Sequence, residues 1–326
     1  MIYNYSQCLA IIQKEIEKLA TEKRDPQELY APVSYIMQLG GKRIRPVMVL
    51  YAHNLFNDSI EEALPVAMAI EVFHNFTLVH DDIMDNAPIR RNQQTVHEKW
   101  NNNVAILSGD AMQIIAYQYL CKVNPSVLKP MIDIFNTTAL EICEGQQYDM
   151  NFASRKDVTL PEYIRMIELK TSVLVAASLK MGALCGGASE KDAQNLYEFG
   201  RNLGLAFQIQ DDYLDVYADQ EVFGKTVGGD IAENKKTYLL IKAIELAEGE
   251  DKNILDRAIR NQIADLDIKI EMVRGVYDNL GIASIAKKAI EDYSNRAFCF
   301  LDAVNVDESR KAMLKAMAVE LMKREK

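Results

Sequence analysis

The chain has 326 residues, 49% hydrophobic and 26% charged, a balance that belongs to a globular protein and excludes a disordered one. With 37 basic against 47 acidic side chains the formal net charge is −10, which argues against a broad nucleic-acid surface but leaves room for a local cationic pocket. Only 8 prolines and 15 glycines punctuate it and no stretch alternates with strand period, so an all-α fold is expected.

The amino terminus, MIYNYSQCLAIIQKEIEKLA, has neither a basic n-region nor a cleavage site, so residues 5–21 are expected as an amphipathic helix and not a signal peptide. A second helix starts at Asp25-Pro26 and runs towards Leu39. The stretch GGKRIRP, residues 40–46, reads as a flexible turn feeding a helix that tolerates Pro46 in its first turn, and VMVLYAHNLF should then be buried. Residues 64–85 form one long helix with Met68, Val72, Asn75, Val79 and Ile83 at spacings of three and four, which puts DDIMD on its last turns.

A loop with Arg90, Arg91 and Asn92 follows, then helices over about 105–122, 128–150, 161–185 and 191–216, the last carrying QIQDDYLD. Residues 223–230 are the most loop-like part of the second half, and the 219–230 loop is expected to serve as a closing flap. A helix over 236–246 and three or four more complete the chain, the last over 308–322. Cys8, Cys121, Cys143, Cys185 and Cys299 are scattered, with no CxxC pair, and read as reduced thiols of a cytoplasmic protein. No apolar run is expected to reach the roughly 18 to 20 residues of a membrane span. Without a Pro/Gly/Ser-rich linker, residues 1–326 are expected to be a single domain of ten or more helices.

Asp81 and Asp85 lie four apart on one helical face, with Asp82 turned away; Asp211, Asp212 and Asp215 repeat the spacing. Like charges on one face near a helix C-terminus are unfavourable. A divalent cation offsets that cost, and all-oxygen ligands suit magnesium, which prefers to be shared with substrate phosphates. A single DDxxD is as often solvated surface as a site. Here each group ends a largely apolar helix, FHNFTLVH before the first and LGLAFQIQ before the second, which favours a metal-loaded cavity rim. The basic groups that answer them are Lys42, Arg43 and Arg45, Arg90 and Arg91, Lys170 beside Thr171, and Lys225 and Lys235 beyond the second motif. GGKRIRP lacks the frame of a Walker A loop, so an ATPase reading fails. The ingredients fit a reaction with a diphosphate leaving group and a carbocation kept dry in an apolar tunnel.

From GGKRIRP through DDIMD, GQQYD, KT and FQIQDDYLD to GKTVGGDIAENK, the sequence resembles the trans-isoprenyl diphosphate (polyprenyl) synthases over nearly its whole length. The resemblance implies an all-α helical bundle of the isoprenoid synthase type with a central cavity, usually a homodimer, that condenses isopentenyl diphosphate head to tail onto an allylic diphosphate. It implies Asp81, Asp85 and Asp211 as direct Mg2+ ligands, three ions with substrate bound, with Asp82, Asp212 and Asp215 acting through water or as supports. Lys42, Arg45, His74 and Arg91 are implied to clamp the isopentenyl diphosphate. Arg90, Lys170, Lys225 and Lys235 are implied to hold the allylic diphosphate, with Thr171 and Gln208 beside the reacting end and Asp149 as a support.

His74 on its residues alone is as well read as a buried structural histidine; His80 remains a structural candidate and His97 is expected to order the loop after the arginines. Asn92 stands where glycine is usual and tolerates the same left-handed backbone. Tyr238 departs from the common pattern and is expected to touch no inferred ligand. Phe76 and Thr77, five and four residues before Asp81, are expected to line the tunnel floor, with Phe73 one turn deeper, which favours a C20 product modestly over C15. Three alternatives stay open: a class I terpene cyclase, a squalene or phytoene synthase, and a non-enzymatic helical binding or scaffold protein.

Overall fold

The structure is a computed structural model that describes residues 2–218 and 228–323. Its backbone is helical almost throughout, and it divides into two compact units.

The first unit comprises Met1–Asn136, Ala177–Tyr197 and Val304–Leu314. Helix α1 (Tyr5–Thr21) starts at a capping box, the Asn4 side chain accepting from the Gln7 N–H while the Gln7 side chain accepts from the Asn4 N–H. Its buried side chains, Cys8, Ile12, Ile16 and Leu19, fall on one stripe at spacings of three and four. Helix α2 (Gln27–Gln38) and helix α3 (Ile44–Asn54) follow, with Pro46 in the first turn of α3 as its missing N–H allows. A 3₁₀ turn (Glu61–Ala63) leads into α4 (Leu64–Met84), which is apolar nearly all round and buries eleven residues.

Glu61–Met84 is also long and apolar enough to cross a membrane, where no such run was expected. Most of that stretch is buried within the protein, which makes α4 a core helix by its surroundings. Helix α4 packs on α3 and on α6 (Asn102–Leu120). The approach to α6 depends on Gly109, since a Cβ there would stand 2.3 Å from Nε2 of His80. Helix α6 starts three residues earlier than expected because the Asn101 side chain accepts from the Val104 N–H. Between α4 and α6 lie α5 (Val96–Lys99) and the only strands among the described residues, β1 (Ile89–Arg90) and β2 (Gln93–Gln94). They pair as a hairpin whose central residues, Arg91 and Asn92, both have positive φ, at 51° and 61°.

The second unit comprises Thr137–Ala176, Glu198–Ala303 and Lys315–Lys326. Helices α7 (Pro125–Ser154), α9 (Val173–Cys185), α10 (Glu190–Tyr217) and α16 (Glu308–Lys323) have residues in both units. The helix expected over 161–185 is α8 (Leu160–Ile167), a π-helical turn (Glu168–Ser172) and then α9. Two glycines bear on that turn: a Cβ on Gly145 would lie 2.3 Å from the Lys170 backbone N, and one on Gly204 2.7 Å from the Ser172 Cα. After the second acidic motif come α11 (Gly229–Ala232), α12 (Tyr238–Leu246), α13 (Gly249–Ile259), α14 (Leu266–Asn279) and α15 (Ile282–Asp302). Their core gathers Tyr163, Ile209, Leu239, Val273 and Tyr277. Lys225 and most of the expected 219–230 flap lie outside the described residues. All five cysteines are free thiols.

Candidate active site

Helix α4 delivers the first acidic group on its last turn, and its three carboxylates face different surroundings. Asp82 is 1% exposed and is held by Arg90, whose Nε donates to Oδ1 and Oδ2 at 2.8 and 2.9 Å and whose Nη2 lies 2.6 Å from Oδ1. Burial pushes the Asp82 carboxyl above the usual range and Arg90 opposes it. Asp81 is half-buried and Asp85, the C-cap, is exposed. Arg90, expected on the allylic diphosphate, is thus engaged by Asp82 here.

The other basic residues of this unit form a pocket. Lys42, Arg43, Arg45, Glu71, His74 and Arg91 line a cavity of about 110 Å³ that sets four cations against one carboxylate. Arg91 reaches it from the hairpin and donates to the Gly40 carbonyl. Gly41 (φ 119°) makes room, since a Cβ there would be 3.0 Å from the Arg91 Cζ. Arg43 is 4% exposed; it is ion-paired with Glu71 and donates to the Met37 carbonyl. Asn75 donates to the same Glu71 carboxylate at 2.9 Å. Arg43 is therefore a structural cation and not an anion ligand, because two buried charges of this kind hold each other in place. Arg45 stands 3.3 Å from Nε2 of His74. Burial, then the charges of Arg45 and Arg91, hold the His74 imidazole well below its usual range, so it is neutral in a cationic pocket. His80 packs edge-on against Phe76 and meets the Ile106 carbonyl, and His97 lies 3.6 Å from Glu98.

Helix α10 delivers the second group in the same pattern. Asp212 is 3% exposed and accepts from the Tyr163 hydroxyl and from the Tyr238 N–H at 2.8 Å. Burial and the nearby Asp230 push its carboxyl up to about 7. Tyr238, expected to stand apart from the site, thus supports it through its backbone. Asp215 accepts from the Asp230 N–H at 3.0 Å, and Asp211 is half-buried. Lys170, carried by the π turn, is 2.6 Å from Asp149, and Thr171 donates to Gln208 at 3.2 Å. Lys235 is 3.4 Å from Asp230. Burial disfavours its charge, but Asp230, Asp212 and Asp149 outweigh that and raise its pKa.

In each motif the second aspartate is buried, while Asp81 and Asp211 are half-buried and Asp85 is exposed. Among the described residues no three His, Cys, Asp or Glu side chains gather closely enough to hold a metal ion by themselves. The carboxylates of Asp81, Asp85 and Asp211 offer the all-oxygen ligands that suit magnesium, which keeps several waters and takes phosphate oxygens as further ligands.

Helices throughout, two DDxxD groups and a cationic pocket are the arrangement that the resemblance to the polyprenyl synthases implies. The sequence profile described as Polyprenyl synthetase matches residues 26–276, and the chain belongs to that family. It is 48% identical over 223 residues to a geranylgeranyl diphosphate synthase of Methanosarcina mazei, covering 68% of each chain. Among solved structures, a geranylgeranyl pyrophosphate synthetase from Pyrococcus horikoshii superposes with a TM-score of 0.91 at 32% identity, over 98% of this chain and 97% of that one. A polyprenyl synthase from Caulobacter crescentus, complexed with calcium and isoprenyl diphosphate, does so with a TM-score of 0.85 at 26% identity, over 98% and 97%.

Proposed function

We propose that this prenyltransferase condenses isopentenyl diphosphate head to tail with an allylic diphosphate (dimethylallyl, geranyl or farnesyl), releasing diphosphate and favouring a C20 product over C15. The observation that carries the reading is the repeated division of labour within DDxxD. The second aspartate of each motif is buried and held, Asp82 by Arg90 and Asp212 by Tyr163 and Tyr238, and cations stand near both motifs, Arg90 on Asp82 and Lys235 near Asp212.

Asp81 and Asp85 in the first unit and Asp211 in the second would hold magnesium, which would neutralise the charge that develops on the departing diphosphate. Lys170 and Lys235 start on Asp149 and Asp230 and exchange those carboxylates for phosphate oxygens, an exchange between partners of like charge. Lys42, Arg45 and Arg91 bind the second diphosphate, with neutral His74 offering a ring nitrogen instead of a further charge. Phe73, Phe76 and Thr77 of α4 give the growing chain an apolar wall, and the Thr77 hydroxyl is turned back onto the His74 carbonyl at 2.8 Å. No residue is needed as general base, since the released diphosphate takes the proton.

Helix α6 leaves Leu107 and Ile114 exposed at 59% each, seven residues apart on one face, which supports a homodimer built on that helix. The free cysteines fit a cytoplasmic setting. No observation favours a cyclase or a scaffold.

Asp81→Ala and Asp211→Ala are each expected to lower turnover by about 100-fold or more while circular dichroism stays unchanged, as for loss of a group that stabilises transition-state charge. Near-normal turnover of either variant at limiting magnesium would contradict the assignment.

A further inference from the structure

Residues 228–238 are pinned to the second acidic motif at both ends. Gly228 donates its N–H to the Asp215 carbonyl at 2.6 Å, Asp230 donates to the Asp215 carboxylate, and Tyr238 donates to the Asp212 carboxylate. Lys235 sits inside this strap. Within it, α11 is a single turn whose carbonyls are accounted for one by one: Gly229 O by Glu233 N, Asp230 O by Lys235 N, and Ile231 O by Asn234 N. Asn234 then takes a left-handed backbone (φ 56°) and leads the chain out of the helix, so the partner that a continuing helix would bring to Ala232 O does not arrive.

The donor comes instead from α14. Lys269 is 1% exposed, and its ammonium donates to Ala232 O at 2.9 Å and approaches Oδ1 of Asn261 at 3.4 Å. The same Asn261 oxygen accepts from the Asn234 side chain at 2.8 Å. The next residue of α14, Ile270, presses on the strap's first residue, since a Cβ on Gly228 would lie 2.6 Å from its Cγ2. A buried lysine is costly, and burial lowers the pKa of this one. Its contacts are with a carbonyl and an amide oxygen, so the site gives its ammonium the role of capping a short helix.

We propose that Lys269 is a positioning residue for prenyl transfer: by capping α11 and tying Asn261 to Asn234 it fixes the strap that carries Lys235 towards the allylic diphosphate. The proposal rests on the prenyl-transfer reading above. Lys269 touches no inferred substrate group, so its effect reaches the reaction only through the strap.

The test compares the full-length wild type with Lys269→Met and Lys269→Arg in two measurements. Hydrogen exchange of the 228–238 amides is expected to be faster in Lys269→Met, with the amides of α1 to α4 unchanged. Steady-state kinetics with magnesium are expected to show KM for the allylic diphosphate raised by about tenfold while KM for isopentenyl diphosphate stays within about twofold, the scale of a small misplacement of one contact. Lys269→Arg, which keeps the charge and the donor, is expected to recover most of that loss. Unchanged exchange in Lys269→Met would overturn the proposal. So would faster exchange with both KM values unmoved or raised alike, or an arginine variant no better than methionine. A wild type that elongates no allylic diphosphate would remove the parent reading, whereas the exchange result would still decide whether Lys269 holds the strap.

Discussion

His53 is fully buried in α3, and burial holds its imidazole below the ordinary range, outweighing the opposing Glu62 and Glu61 carboxylates. A folded pKa below the unfolded value means that the unfolded chain binds the extra proton more readily. The stability associated with neutral His53 is therefore complete above the unfolded pKa of about 6.5 and is lost as pH falls towards the folded value, with a slope of at most ~1.4 kcal/mol per pH unit. Urea unfolding between about pH 7 and pH 5 is expected to show a shallower loss in His53→Gln than in the wild type. Equal slopes would mean that His53 titrates normally. At this scale residue order is enough to name Asp81, Asp85, Asp211, Lys170, Thr171 and Gln208 as candidates, and the structure adds that Thr171 donates to Gln208 and that Lys170 pairs with Asp149. Arg43 could not be separated from Arg45 by spacing, because what distinguishes it is Glu71, 28 residues away, which turns it into a buried ion pair. Tyr163, 49 residues before Asp212, has no local signature either.

Among elements, the π turn at Glu168–Ser172 is the local irregularity that aims Lys170 and Thr171, and such turns recur at functional sites. Periodicity reads straight through it, since one extra residue in a helix of mixed apolar character leaves the pattern intact. Its backing by Gly145 gives it a test. Gly145→Ala would drive a Cβ against backbone atoms that cannot swing aside, and overpacking of this kind costs about 1–3 kcal/mol. The variant is expected to melt lower and to lose turnover, and an unchanged melting temperature and rate would show that the turn yields freely.

Helix α4 offers a second test at the same scale. Its aromatic rings form a series: Phe76 to Phe73 at 5.4 Å, Phe73 to Phe135 at 4.9 Å, and Phe135 to Tyr117 at 5.0 Å. Phe73 is buried, whereas Phe76 is half-buried and makes the upper ring of that series. Phe76→Ala is expected to shift the chromatographic product profile to longer chains, and an unmoved profile would place the length limit elsewhere.

For the whole molecule, the all-α architecture follows from composition and helical periodicity, and the helix order matches the expectation closely. The departures arise where side chains decide the ends: Asn101 capping α6, and the two left-handed residues Arg91 and Asn92 that close a hairpin too short to alternate. The division into two compact units left no mark in the sequence, because α7, α9, α10 and α16 have residues in both and no linker is required. The account stands on one claim, that the two acidic motifs serve magnesium-dependent prenyl transfer. Its most direct test is product analysis after incubation of the wild-type enzyme with isopentenyl diphosphate and, separately, the C5, C10 and C15 allylic diphosphates, with and without magnesium. Elongation is expected with magnesium only, ending at C20. A C15 endpoint would move the tunnel floor closer to Asp81, and no elongation of any partner would contradict the account at its centre.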